Sequence, residues 1–438
     1  MTTHLRAGAG RADISPAKGT YLAGYGHPFR TSKSVRDPLS ATVLLLDDGV
    51  TRLALVAVDA LSVHEDVVTR LRGVVSEHTE VPQDQVMIAC SHSHCSPVLS
   101  SLEDSSEPQK AHVEMTITRV SEASQEAAEN LATATLHVGR GQNTIAVNRR
   151  ETNAKGETVI GVVKEAPIDP DLLVLQVRRE DKTVAATIVN LACHPTCLSP
   201  KHRVATAAWP GQMRSVVEAE TDAPVLFMQG ATGDLNPDAS WGKAEIEAMV
   251  RLGNRVGEAT LKVCQGLKEV SGTPLAGDRV DVLLPIRPEQ GPKGLPLDHL
   301  DGLRKQIPLP RFAVRWLLNR CYPWQTRQTT APDGQAVVPM EAQVFRLGEV
   351  ALIGWAAEVF HGLAVAMKES SPATMTLFAG YSNGMIGYLP TAEEHARGGY
   401  EVDVSPYFYR LGGRLDPSAG ERASKQSREL LGRLFSQP

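Results

Sequence analysis

Polar groups capable of chemistry stand where apolar runs end. "VMIAC" leads into Ser91-His92-Ser93-His94, and "TIVNLAC" into His194-Pro195-Thr196. "VLFMQG" leads into Ala231-Thr232-Gly233-Asp234-Leu235-Asn236, "VALIGWAA" into Glu358, and "MTLFAGY" into Ser382-Asn383-Gly384. Such runs read as strands, and ligands of open sheets gather outside the carboxyl ends of strands. Residues far apart in the chain can therefore meet in one place. Zn²⁺ favours imidazole and carboxylate ligands, with three protein ligands and an open position in many catalytic sites. His92, His194 and Glu358 would form such a set. A histidine after a strand also serves as a hydrogen-bonded loop residue, so a metal site and a satisfied structural loop both fit.

Two other motifs are set aside. "GAGRAD" from Gly8 resembles the start of a dinucleotide fingerprint, but the third glycine is missing and no strand of adequate length precedes it. "DLNPDASWGKAE", from Asp234 to Glu245, nearly fits a calcium loop. Its sharp-turn glycine is Ala239, however, and a strand rather than a helix comes before it.

Further strands are expected at "TVLLL", "LALVAVD", "LLVLQV", "VDVLLP" and "VFRLG". Helical periodicity marks Glu65–His78, Ala111–Leu131, Glu245–Leu267 and Glu421–Phe435. Several strands are continuously apolar, which suits cover on both faces. The mixture predicts an α/β (α+β) fold of layered mixed β-sheets flanked by helices, with a metal site at the strand ends. Residues 285–334 differ in composition, being rich first in Pro and Gly and then in basic and aromatic residues. They read as a cap or interface insertion within one domain spanning residues 1–438.

The chain carries 45 basic and 50 acidic residues, a net charge of −5. No basic patch is visible, which argues against nucleic acid as a partner. No run of about 18 apolar residues is present, so no transmembrane helix is expected. The N-terminus shows no apolar signal region, and the reading is cytoplasmic. The spacings of Cys90, Cys95, Cys193 and Cys197 do not match a zinc ribbon.

The order "AGAGRADISP", "GYG", "SHSHCSP", "NRRE", "CHPT", "WPG", "QGATGDLNPD", "AAEVF" and "GYLPTAEEH…GGYE" resembles the catalytic domain of neutral, non-lysosomal ceramidases, from about Gly8 to Tyr400. The resemblance implies a single Zn²⁺ held by His92, His194, Glu358 and Tyr388. It places His94 near the reacting group, Tyr400 at the scissile carbonyl, and Arg149 in the substrate site. Cys90 and Cys95 are then small packing residues, because the ligand set is complete without them. Two positions depart from the family pattern. Asn236 replaces the active-site serine of the family, and Ala208 replaces the aspartate that precedes its Y-P-G. Asparagine cannot act as an alkoxide nucleophile, but it can donate to an oxyanion. The chain also ends soon after the catalytic domain.

The reading is a zinc-dependent hydrolase of an amide-like bond, with His94, Arg149, Asn236 and Tyr400 as catalytic groups. The expected substrate is a small or lipid-derived molecule other than long-chain ceramide, and a homo-oligomer is allowed for. Two alternatives are an ester or lactone hydrolase or isomerase on the same scaffold, and a non-catalytic zinc-bound binding protein. One expectation is directly checkable. Without a signal and with poor spacing for pairing, all six cysteines should titrate as free thiols in the denatured, unreduced protein. A titration short by two thiols would reveal a bridge.

Overall fold

Among the described residues, five strands of five or more residues are buried at every position: Ser40–Asp47, Val86–Cys90, Val225–Gln229, Val350–Trp355 and Met375–Ala379. A strand with no exposed position needs cover on both faces, and the architecture supplies it in layers. The computed structural model describes residues 4–27, 29–101, 105–239, 245–288 and 328–436. Two large mixed sheets are stacked face to face, with helices on their outer sides. The first sheet runs in the order Val225–Gln229, Val184–Leu191, Asp171–Arg179, Ala132–Gln142, Arg6–Asp13, Ser40–Asp47, Arg52–Val58, Val86–Cys90. The second runs Met375–Ala379, Val350–Trp355, Ala336–Leu347, Leu275–Pro288, Gly413–Leu415.

Side-chain alternation along each strand decides which layer a residue enters. Val43 and Leu45 join a cluster with Val67, Leu71, Ile117 and Val120 of the helices Glu65–Thr79 and Glu107–Glu129. Their neighbours Leu44 and Leu46 point the other way, into the layer between the sheets, where they share a cluster with Phe345, Leu352 and Leu377. Leu363 and Met367 of helix His361–Glu369 and Leu430 and Leu434 of helix Ala419–Ser436 cover the outer face of the second sheet. Trp209 and Met213 of helix Ala208–Thr221, with Leu252 and Val256 of helix Glu245–Cys264, cover the far end of the first.

Two asparagines join the sheets. Asn190 donates to Met228 O at 2.8 Å in the first sheet and to Phe378 O at 2.9 Å in the second. Asn383 donates its backbone N–H to Ile88 O at 2.8 Å, and its side-chain oxygen accepts the Ile88 N–H at 2.7 Å. An asparagine side chain imitates a peptide group, so each closes a ladder where strands of two sheets meet.

The expected strands and all four expected helices are present. The strands Arg6–Asp13, Ala132–Gln142, Ala146–Thr152 and Thr158–Val163 and the helices Ala208–Thr221 and His361–Glu369 were not anticipated. "GAGRAD" is itself part of a strand, and its glycines serve packing. A Cβ on Gly8 would lie 2.1 Å from Ala127 O, and one on Gly10 2.1 Å from Ala123 O. Helix Glu107–Glu129 thus rests directly on the strand backbone. Of residues 285–334, Pro285–Pro288 end a strand and Thr329–Thr330 form a short one, while 289–327 lie outside the described residues. The five described cysteines are free thiols, and burial pushes the four nearest the site, Cys90, Cys95, Cys193 and Cys197, above the usual thiol range. No described helix is long and apolar enough to cross a membrane.

The glycine contact has a measurable consequence. Gly10→Ala must push strand and helix apart and should lower the unfolding free energy by about 1–3 kcal/mol, read by urea denaturation. An unchanged midpoint would mean that the helix can move away without cost.

Candidate metal centre and substrate site

Chain reversals at the strand ends bring the predicted residues together. His92 follows strand Val86–Cys90 and adopts a left-handed backbone, φ 58°. Its N–H donates to Ala60 O at 3.0 Å, which ties the turn to the end of the neighbouring strand. His194 follows strand Val184–Leu191 and is fully buried. Glu358 begins a two-residue ladder in register with Tyr388. The loop Thr232–Leu235 lies against that ladder because Gly233 has no side chain; a Cβ there would come within 2.5 Å of Glu358 O.

Hydrogen bonding sets the tautomers. His92 Nδ1 is 2.7 Å from Leu61 O, and His194 Nδ1 is 2.6 Å from Thr232 O and 3.0 Å from Leu235 O. A carbonyl only accepts, so both Nδ1 atoms carry the proton and both Nε2 atoms, in neutral rings, present a lone pair. Burial pushes His194 down to about 4, which keeps that ring neutral at pH 7. Yet both lone pairs face the same anion: Glu358 Oε2 is 3.4 Å from His92 Nε2 and 3.3 Å from His194 Nε2. Three electron-pair donors converging in a dry site repel one another unless a cation lies between them. Their spacing suits one, since ligands at about 2.0–2.1 Å from a tetrahedral Zn²⁺ stand roughly 3.3–3.4 Å apart. Metal-bound histidines usually donate their second N–H to a carbonyl or carboxylate, as both do here.

His94 joins the same group. Its Nε2 is 3.2 Å from His92 Nε2, and the donor nitrogens of His92, His94 and His194 all lie within 4.8 Å of one another. His94 differs in that its Nδ1 has no hydrogen-bond partner among the described residues. Beside the His92 lone pair, a proton on His94 sits at Nε2 and leaves Nδ1 as the open nitrogen. Burial, and then His92 and His194, hold its pKa well below the usual value.

Arg149 and Asn236 lie on neighbouring strands of a small sheet built from Leu235–Pro237, Ala146–Thr152 and Thr158–Val163. Arg149 Nη1 donates to Asn236 Oδ1 at 3.4 Å, which turns the Asn236 amide N–H groups away from the guanidinium. Arg149 Nε donates to Glu401 Oε1 at 2.8 Å, and Arg150 Nη1 to Glu401 Oε2 at 2.5 Å. The guanidinium of Arg149 sits over the Tyr388 ring at 5.3 Å, and the Tyr400 ring is 5.7 Å from that of Tyr388. Tyr388 and Tyr400 thus line the same side as Arg149. Burial, opposed by Arg149, raises the Tyr388 hydroxyl well above its ordinary pKa.

Several participants were not singled out from the sequence. Tyr381 stacks on His92 with ring centres 4.0 Å apart, and its hydroxyl is 2.5 Å from Thr232 Oγ1 and 3.5 Å from Glu358 Oε2. Tyr409 donates to the other oxygen of Glu358. Arg30, buried, donates to His94 O at 2.7 Å. Glu401 ends the motif "GGYE", and nothing in its local spacing points to the two arginines it accepts from. Asp234 does not form a calcium loop: its carboxylate accepts the His361 backbone N–H at 2.9 Å and Nδ1–H at 2.6 Å, and Asp238 pairs with Lys164 at 3.1 Å.

The Glu401 network generates a test. Glu401→Gln leaves the buried Arg149 without a carboxylate, and breaking a buried ion pair costs about 3–5 kcal/mol. Denaturant unfolding of this variant should show a loss on that scale; a loss below about 1 kcal/mol would mean that water compensates the arginines.

Comparison with known proteins identifies the family and the fold. Residues 5–244, more than half the chain, match the family model of neutral/alkaline non-lysosomal ceramidases, N-terminal. No curated protein sequence matches the chain. Among solved structures, the neutral ceramidase from Pseudomonas aeruginosa is similar with a TM-score of 0.75 and 18% identity, covering 99% of this chain and 75% of that one. A ceramidase complexed with C2 gives a TM-score of 0.73 and 18% identity, covering 98% and 76%. At such identity the likeness to these structures is one of fold.

Proposed function

The chain belongs to the neutral/alkaline non-lysosomal ceramidase family, and from that premise we propose that it is a zinc-dependent hydrolase of an amide-type bond. His92, His194, Glu358 and Tyr388 would hold the metal. The observation that carries this reading is the pair of Nε2 atoms turned on one buried carboxylate oxygen, each ring having its Nδ1 on a backbone carbonyl. Bound zinc would lower the pKa of a water to near 7 and polarise the carbonyl under attack.

The remaining groups have roles that follow from their atoms. His94 has one nitrogen beside His92 and the other without a partner. It can take a proton at one ring nitrogen and release one at the other, which suits movement of a proton to the leaving amine. Arg149 Nη2 is buried and makes no hydrogen bond of normal geometry among the described residues, so a substrate oxygen would complete its bonding. Asn236 Nδ2 points away from the guanidinium and is a second donor for an oxyanion, and Tyr400 stands beside them. With an amide in place of a hydroxyl, this site offers different partners to a substrate. A site built around its own polar groups rejects mismatched ones strongly, because they are left unpaired. We therefore assign it a smaller or more polar amide than long-chain ceramide.

Elemental analysis should find about one zinc per purified chain and a marked loss in His194→Ala. Turnover by the wild-type protein should be found on short or polar amides, above that on esters, lactones and long-chain ceramide. Full zinc content in His194→Ala would refute the ligand set. Efficient cleavage of long-chain ceramide would refute the substrate assignment alone.

A further inference from the structure

The two oxygens of Glu358 have different surroundings. Oε2 faces His92 Nε2, His194 Nε2 and, at 3.5 Å, the Tyr381 hydroxyl. Oε1 accepts the hydrogen bond of Tyr409. A phenol is protonated at neutral pH and a carboxylate oxygen can only accept, so the direction of this bond is settled. Bonds of this kind to an ionised group are about twice as strong as neutral ones. Rotation of the carboxylate that brought both oxygens to face the imidazoles would break it.

Tyr409 is itself held in place. It follows the short helix Ser405–Phe408, its backbone N–H donates to Ser405 O at 2.9 Å, and its ring lies 6.2 Å from that of Tyr388. The ring fits against Gly387, which has φ 99°; a Cβ there would come within 2.6 Å of it. The residue before Tyr388 is thus shaped to admit the Tyr409 ring behind the glutamate.

We propose that Tyr409 is a positioning residue that restricts Glu358 to one-oxygen ligation of the metal. The inference rests on the metal reading above. Two imidazoles, one carboxylate oxygen and one phenol make the four-coordinate set that zinc prefers, whereas a two-oxygen carboxylate would raise the coordination number. Groups that hydrogen-bond a ligand in this way typically change metal affinity by 10–100-fold when removed.

The test compares wild type with Tyr409→Phe, which removes only the hydroxyl. Zinc affinity is measured by competition with a chromophoric chelator, and the visible spectrum is recorded after cobalt(II) substitution. Tyr409→Phe should retain the wild-type circular dichroism, bind zinc about 10–100-fold more weakly, and show weaker cobalt absorption as the coordination number rises. Gly387→Ala, whose methyl presses on the Tyr409 ring, should shift the spectrum the same way and serves if Tyr409→Phe does not fold. Unchanged affinity and spectrum overturn the proposal while leaving the metal reading intact. Loss of all metal in Tyr409→Phe together with retention in Tyr388→Phe also overturns it, by making Tyr409 the ligand. A wild-type protein with no measurable zinc affinity removes the metal reading and this inference with it.

Discussion

Backbone carbonyls decide where the imidazole lone pairs point. Leu61 O accepts from His92, and Thr232 O and Leu235 O accept from His194, so both rings turn their unprotonated nitrogens toward Glu358. Those carbonyls belong to the loops that leave the strands, and their positions follow from the sheets beneath them. A shift of one loop would return the proton to the other nitrogen and undo the convergence. The backbone thereby holds the two nitrogens and the carboxylate in one fixed arrangement.

The sheets must meet at that point for the loops to do so. Val86–Cys90 and Val184–Leu191 belong to the first sheet, while Glu358 follows a strand of the second. Asn190 and Asn383 bond segments of one sheet to segments of the other with peptide-like geometry, and an Ala89–Ser382 bridge lies in the same seam. Apolar packing alone would let two sheets slide, since it has no direction. Hydrogen bonds across the seam fix the register, and the register places the two histidines and the glutamate on the same side.

A second constraint is electrostatic. Arg149 and Arg150 are both buried, and Glu401 accepts from both, with Glu394 completing Arg150. Their charges are compensated away from the histidines, so that Arg149 is held over Tyr388 and beside Asn236 rather than drawn to Glu358. The carboxylate that faces the imidazoles and the carboxylate that faces the arginines remain separate. That separation keeps the acceptor groups around Glu358 apart from the donor groups around Arg149 within one buried region.

Local pattern determined a good deal about this protein. Continuous apolar runs at Val86–Cys90, Val225–Gln229 and Val350–Trp355 mark strands buried on both faces, because runs of five or six residues suit a covered strand and are too short for an ordinary helix. His92, His194 and Glu358 were legible because they end such runs. Arg6–Asp13 was hidden by its glycines, which weaken the strand pattern and make sense only against the helix resting on them. Tertiary structure alone decided which tyrosines surround Glu358. Tyr381, Tyr388 and Tyr409 lie on three separate segments, and nothing in their spacing says that one stacks on His92 while another bonds Oε1. Periodicity reports which face of an element a residue occupies. Which distant residue meets it there depends on how the sheets and loops pack, and that is settled only in three dimensions.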